Sequence, residues 1–264
     1  MHPFAHLSIP QGALGIHWFE QNAYALKDSQ DHLVLIDPYF PHDRPAERFV
    51  RPTPPVDESE LPITHVLLTH RHGDHTNPET LKRIHRAWPE AKVIGPIESI
   101  QQVLAETEIE AGHTTVIAAG ESITMDGMTV HAVYGKPPEG DPAAGIHPPD
   151  VTHLSYVIEL EGIRVYVSGD TINTFAERED LVGPVAALKP DIGFLTTHPT
   201  EGEFPFFEGS VALAQKIGLK SAVPAHYECF AKRTYDPAQW AALFPAEGPQ
   251  PLIIPWNSHI VYRK

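Results

Sequence analysis

The sequence predicts an α/β protein whose functional loops gather at one edge of its sheets, and three observations carry that expectation. Short apolar runs recur at residues 32–37 (HLVLID), 64–69 (THVLLT), 91–95 (AKVIG), 128–133 (MTVHAV), 153–160 (HLSYVIEL), 163–169 (IRVYVSG), 191–196 (DIGFLT), 221–225 (SAVPA) and 251–255 (PLIIP). Each has the length and β-branched content of a strand. Helical stretches lie between several of them. Residues 78–88 (PETLKRIHRAW) open on Pro78 behind Asn77 as N-cap, and residues 210–218 (SVALAQKIG) close on a glycine. Finally, side chains able to ligate metal stand where apolar runs end. Strands, hairpins and helices mixed in this order indicate an α/β architecture.

Composition limits what such a scaffold can do. The 264 residues are 42% hydrophobic and 9% aromatic, enough for a sizeable core. No apolar stretch approaches the roughly 18 residues of a membrane span, and the start, MHPFAHLSIP, lacks the charged and long apolar regions of a signal peptide. The expectation is a cytoplasmic protein with no membrane partner. The one cysteine, Cys229, rules out an internal disulfide. A formal charge of -15 argues against nucleic acid, whose binding rests on Lys and Arg neutralising phosphates. A small molecule is the expected partner, and a homo-oligomer stays open. Many of the 27 prolines fall in residues 44–62 and 134–150, which read as long ordered loops rather than interdomain linkers.

Residues 69–76 read THRHGDHT. Burying such a cluster without a cation would carry a heavy desolvation cost. His70 and His72 follow an extended run two positions apart, so in extended chain both imidazoles project to one side. Gly73 permits a turn that brings Asp74 and His75 round just before the helix start. The first pair can hold one cation and the second pair another, and nitrogen with carboxylate suits Zn, Fe, Mn or Ni better than Ca or Mg. Two distant runs end similarly, IRVYVSGD in Asp170 and SAVPAHYE in His226. A carboxylate has two oxygens and can bridge two cations, about 3.5–4 Å apart in dinuclear sites.

HxHxDH, then GD, then a strand-end histidine resembles the metallo-β-lactamase superfamily. VLIDPYF (34–40), SGDT (168–171) and VPAHYECF (223–230) are most similar to its subgroup of L-ascorbate-6-phosphate lactonases and related metal-dependent hydrolases. The resemblance implies a four-layer αβ/βα sandwich, two mixed sheets flanked by helices, as one domain over residues 1–264. It implies that His70, His72 and a third histidine bind the first metal, that Asp74, His75 and His226 bind the second, and that Asp170 bridges them. The third histidine departs from the pattern: residues 134–137 read YGKP, and His147 and His153 compete. His147, in GIHPPD, is the favoured ligand, with His153 as a packed or outer residue and His131 structural.

Departures also narrow the implied activity. The bridging aspartate disfavours antibiotic hydrolysis, the missing TPGHTxGH stretch disfavours thioester hydrolysis, and the acidic charge disfavours RNA cleavage. A hydrolase acting on a small anionic ester, lactone or phosphodiester through a metal-bridging hydroxide remains, with two divalent ions, Zn or Mn first and Fe or Ni next. Asp74 is expected to orient the attacking water while it holds the second metal. Lys136, His198 and Tyr227 are the expected substrate contacts, with Lys232 and Arg233 as further basic candidates; Tyr227 or His198 would protonate the leaving group. Two rivals are a mononuclear iron oxygenase of the persulfide dioxygenase kind and a non-catalytic metal-binding protein.

Overall fold

The computed structural model describes residues 1–264. Contacts gather them into two compact units. One comprises Met1–Ile117, Tyr227–Thr234 and Ile254–Lys264, the other Ala118–His226 and Tyr235–Ile253.

The first unit holds a seven-stranded sheet built from β1 (Leu14–Glu20), β2 (Ala23–Lys27), β3 (Leu33–Ile36), β4 (His65–Leu67), β5 (Lys92–Gly95), β6 (Thr114–Val116) and, from the far end of the chain, β14 (Ser258–Tyr262). Its order is β14-β1-β2-β3-β4-β5-β6. Pairing is antiparallel from β14 to β3 and parallel from β3 to β6. The switch follows from the connections: a two-residue turn can only reverse the chain, whereas β4 and β5 are joined through a helix, α1 (Pro78–Ala87), as parallel neighbours require. Asn77 caps α1 by accepting the Thr80 N–H at 2.9 Å. Leu81 and Ile84 of α1, with Ile100 and Val103 of α2 (Ile97–Glu106), pack on Leu33, Leu35, Val66 and Val93 of the sheet.

β1 is buried along its whole length although its sequence, LGIHWFE, carries two polar side chains. Each has a partner: His17 Nε2 lies 2.9 Å from Asn257 Oδ1, and Glu20 Oε1 accepts from Arg44 Nη1 at 2.6 Å with both side chains fully buried. Arg44 also donates through Nε to the Arg51 carbonyl at 2.9 Å. Removing one member of such a pair strands the other charge in the interior, so Glu20→Ala is expected to cost about 3–5 kcal/mol. Urea unfolding of the variant and wild type measures it; a loss under about 1 kcal/mol would mean that water already reaches the guanidinium.

The second unit repeats the plan with different elements: β7 (Ser122–Met125), β8 (Met128–Tyr134), β9 (Leu154–Leu160), β10 (Ile163–Val167), β11 (Ile192–Thr196), β12 (Ser221–Ala225) and β13 (Gln250–Pro251), in the order β13-β12-β11-β10-β9-β8-β7. β7 to β10 form an antiparallel meander and β10 to β13 a parallel run. The crossovers of that run carry α3 (Glu179–Ala187), α4 (Phe207–Lys216) and α5 (Pro237–Ala241). No helix of the chain is long and apolar enough to cross a membrane.

The α/β class and the two mixed sheets are as expected, and the expected strands are found with ends shifted by a few residues. Three expectations change. β1, β2, β6, β7 and β14 add to the expected set, as do α2, α3 and α5; α4 begins at Phe207 rather than residue 210; and of the last apolar run, 251–255, only Pro251 falls within a strand, β13.

Candidate metal centre

In open sheets, ligands bind beyond the carboxyl ends of parallel strands, where the strand order switches. Both sheets place candidate donor side chains at such ends, and His153 alone stands before a strand, the antiparallel β9. In the first unit, β3 ends into Asp37 and β4 into residues 68–76. Asp37 is fully buried in the left-handed region, φ 42°, which aims its carboxylate back at the β4 loop. Its Oδ1 accepts the Thr69 N–H at 2.7 Å; its Oδ2 accepts from Thr69 Oγ1 at 2.7 Å, Asn22 Nδ2 at 2.6 Å and His75 Nδ1 at 2.7 Å.

This network sets the tautomers. His75 spends its Nδ1 proton on Asp37, so Nε2 carries the lone pair. The Thr69 hydroxyl donates to Asp37 and therefore accepts from His70 Nδ1 at 3.0 Å, which leaves His70 Nε2 as its ligand atom. That atom sits 3.1 Å from His72 Nδ1. Asp74, like His72, is partly exposed; its Oδ2 accepts from Gln21 Nε2 at 2.7 Å and stands 3.9 Å from His75 Nε2.

In the second unit, His153 immediately precedes β9 and is buried, its carbonyl held by the Gly135 N–H at 2.9 Å. Asp170 follows β10 through Ser168-Gly169. Gly169 adopts φ 56°, and Ser168 Oγ accepts from the Thr196 N–H at 2.9 Å, tying the turn to the neighbouring strand. His226 follows β12 with φ 67° and packs its ring on Phe204, centroids 4.8 Å apart. Its Nε2 lies 3.2 Å from Asp170 Oδ1.

Ligand atoms fall into three sets, each with members within 4.8 Å of one another: His70, His72 and His153; His70, His75 and Asp170; Asp74, His75 and His226. The donor chemistry fits a cation. Bare nitrogen lone pairs 3.1 Å apart repel unless a proton or a metal lies between them, and donors about 2.0–2.2 Å from a shared ion stand roughly 3–3.5 Å from each other.

One expected site residue is elsewhere. His147 is exposed in the loop after the short turn Pro142–Ala144, and the residue in the set with His70 and His72 is His153. The loop around His147 is closed on itself by the Asp141–Ile146 bridge and its Gly145 turn and leaves His147 exposed, whereas His153 is fixed at a strand end.

Of the expected substrate contacts, His198 is buried at the end of β11. Its Nδ1 accepts the Thr200 and Glu201 N–H groups at 3.2 and 2.9 Å, which makes Nε2–H a donor. Tyr227 is buried and stacks on Trp18, centroids 4.6 Å apart. Burial, then the Glu228 charge, raises its phenol above the ordinary value, so it acts as a neutral hydroxyl. Tyr39 is pushed up to about 12, chiefly by burial. Lys136 pairs with Glu203 at 3.4 Å; Lys232 is exposed and Arg233 half-buried on the turn Ala231–Arg233. Asp37, Gln21 and Asn22 lie outside the expected set; an aspartate closing the run LVLI is a visible signal for the first, and no local pattern marks the other two.

Two mixed sheets of this plan, with clustered histidines and carboxylates able to bind metal at strand ends, are those of the metallo-β-lactamase αβ/βα sandwich class. Residues 32–227 match the family model described as the beta-lactamase superfamily domain. The chain belongs to that family. It is 28% identical over 227 residues to a UPF0173 metal-dependent hydrolase of Ruegeria pomeroyi, covering 81% of this chain and 86% of the relative. It is 30% identical over 230 residues to another of Paracoccus denitrificans, covering 81% and 85%. Its fold is similar to that of Igni18, described as a novel metallo hydrolase from Ignicoccus hospitalis, with a TM-score of 0.70 at 18% identity over 96% of this chain and 99% of the other.

Proposed function

We propose that this chain is a dinuclear metal-dependent hydrolase cleaving a small anionic ester, lactone or phosphodiester, with residues 1–264 acting as one catalytic domain. The observation that carries the reading is the overlap of the three donor sets. His70 and His75 each belong to two of them, and Asp170 belongs to the set that links the other two. In this reading His70, His72 and His153 would hold one ion and Asp74, His75 and His226 the second, with the Asp170 carboxylate shared between them. His153 takes the place expected for His147. Five histidine nitrogens, three for one ion and two for the other, with carboxylates from Asp74 and Asp170, favour a borderline cation such as Zn or Mn.

Held there, two divalent cations would lower the pKa of water toward neutrality and polarise the scissile carbonyl or phosphoryl oxygen. The protein's own groups do the rest. Asp37 and Thr69 keep His75 and His70 in the ligating tautomers. Asp74 orients the water nucleophile, and the Nε2–H of His198 and the neutral Tyr227 hydroxyl donate to substrate oxygens. No serine or cysteine nucleophile is required; Cys229 is fully buried and its thiol is raised, first by burial.

The test is metal reconstitution followed by an unbiased screen. Chelator-stripped protein reloaded with Zn or Mn is expected to take up two ions per chain by elemental analysis and to hydrolyse a member of a panel of lactones, sugar phosphates and phosphodiesters. One ion or none would overturn the dinuclear model. Oxygen consumption by iron-loaded protein, with no hydrolysis across the panel, would establish the oxygenase instead.

A further inference from the structure

We propose that the two-residue turn Gln21-Asn22 is a positioning device that orients both ligands contributed to the second ion by the β4 loop; this rests on the dinuclear reading above. The turn joins β1 to β2, and its two consecutive side chains reach two different carboxylates. Gln21 donates from Nε2 to Asp74 Oδ2 at 2.7 Å. Asn22 donates from Nδ2 to Asp37 Oδ2 at 2.6 Å, and that same oxygen accepts the Nδ1 proton of His75 at 2.7 Å. One amide therefore orients Asp74 directly, and the next orients His75 through Asp37. Both are hydrogen bonds to an ionised acceptor, stronger and more directional than neutral ones.

The backbone indicates that reach, and not turn-making, selects residue 21. Gln21 sits at φ 55°, a left-handed conformation in which glycine and asparagine are the relaxed choices. Strain of this kind persists only where surrounding structure fixes it. Here the Gln21 N–H donates to the Tyr227 carbonyl at 2.9 Å, and the Gln21 carbonyl accepts from Trp18 Nε1 at 3.2 Å. Trp18 in turn stacks on Tyr227, the residue after His226. The turn is thus clamped from its own strand and from the strand-end segment carrying a further proposed ligand. Asparagine would suit the backbone better, yet it is one methylene too short to bring its amide to Asp74.

That mismatch supplies the experiment. Gln21→Asn relaxes the turn while withdrawing the amide. If residue 21 only makes the turn, the variant keeps or raises its thermal midpoint and binds metal as wild type does. The proposal expects the midpoint to be kept while affinity for one of the two ions falls about 10- to 100-fold, the usual cost of losing a partner that orients a ligand, with the other ion unaffected. Titration of the apo chain with Zn2+ and, separately, Mn2+ against a competing chelator reads both affinities without a substrate. Gln21→Glu, which sets a carboxylate against Asp74, should weaken the same ion at least as much. Asn22→Ala should weaken it through Asp37. Wild-type affinity for both ions in Gln21→Asn overturns the proposal, as does parallel loss of both ions with a lowered midpoint. Wild-type protein that takes up fewer than two ions overturns the dinuclear reading itself, and the proposal with it.

Discussion

Asp170→Asn is expected to cut turnover by more than the ~10- to 100-fold that loss of an outer partner costs, and to leave the chain short of metal while still folded. Asn keeps the volume and one oxygen of the side chain but removes the charge and the second equivalent oxygen that bridging requires. The position has little freedom to compensate. Asp170 is almost fully buried, its Oδ1 is 3.2 Å from His226 Nε2, and it shares a donor set with His70 and His75. Without its charge, these neutral imidazoles would face two cations with one less anion to offset their mutual repulsion. Elemental analysis and thermal melting of the purified variant, with turnover on whichever ester the screen identifies, make the check. Two tightly held ions with normal turnover would show that Asp170 does not bridge.

The second large effect separates two histidines that stand close in sequence. His153→Ala should remove a nitrogen donor from the set with His70 and His72, leaving only those two imidazoles and the shared Asp170, so that the site loses its ion to a mild chelator and turnover drops by orders of magnitude. His147→Ala should leave metal content and turnover within about twofold of wild type, since substitutions of exposed residues away from a site rarely matter. The pair is best measured together by zinc content after matched chelator dialysis. Retention by His153→Ala with loss by His147→Ala would reverse the assignment.

The sequence reveals strands where an apolar run is short, β-branched and closed by turn residues, which is why β3, β4, β9 and β12 were legible. β1 was not, because a strand buried on both faces does not alternate, and its His17 and Glu20 look like solvent-facing residues until Asn257 and Arg44 are seen to pair with them. α3 was hidden by Pro184 within it, a residue that normally argues against helix. The candidate donors were legible where they cluster or close a strand, as in THRHGDHT, Asp170 and His226, which the structure brings into shared sets. His153, the histidine found beside His70 and His72, was less legible, because the residue beginning the run HLSYVIEL reads as part of a strand, while His147 among prolines reads as a loop donor. Legibility failed wholly for Gln21 and Asn22, whose importance lies in reaching across to residues more than ten positions away, a relation no local pattern encodes.

The burial of Cys229 gives the protein an internal clock. The thiol is enclosed by Tyr39, Phe49 and Phe230, and its backbone carbonyl holds the Val50 N–H at 2.9 Å. A raised pKa keeps it a poor nucleophile even when reagent is abundant. Alkylation therefore has to wait for the segment just beyond His226 to open, and its rate at saturating reagent counts those openings. With a single thiol in the chain every labelling event has one source. The stiffness of that side of the metal centre can thus be timed, with and without ions bound, in the unaltered protein.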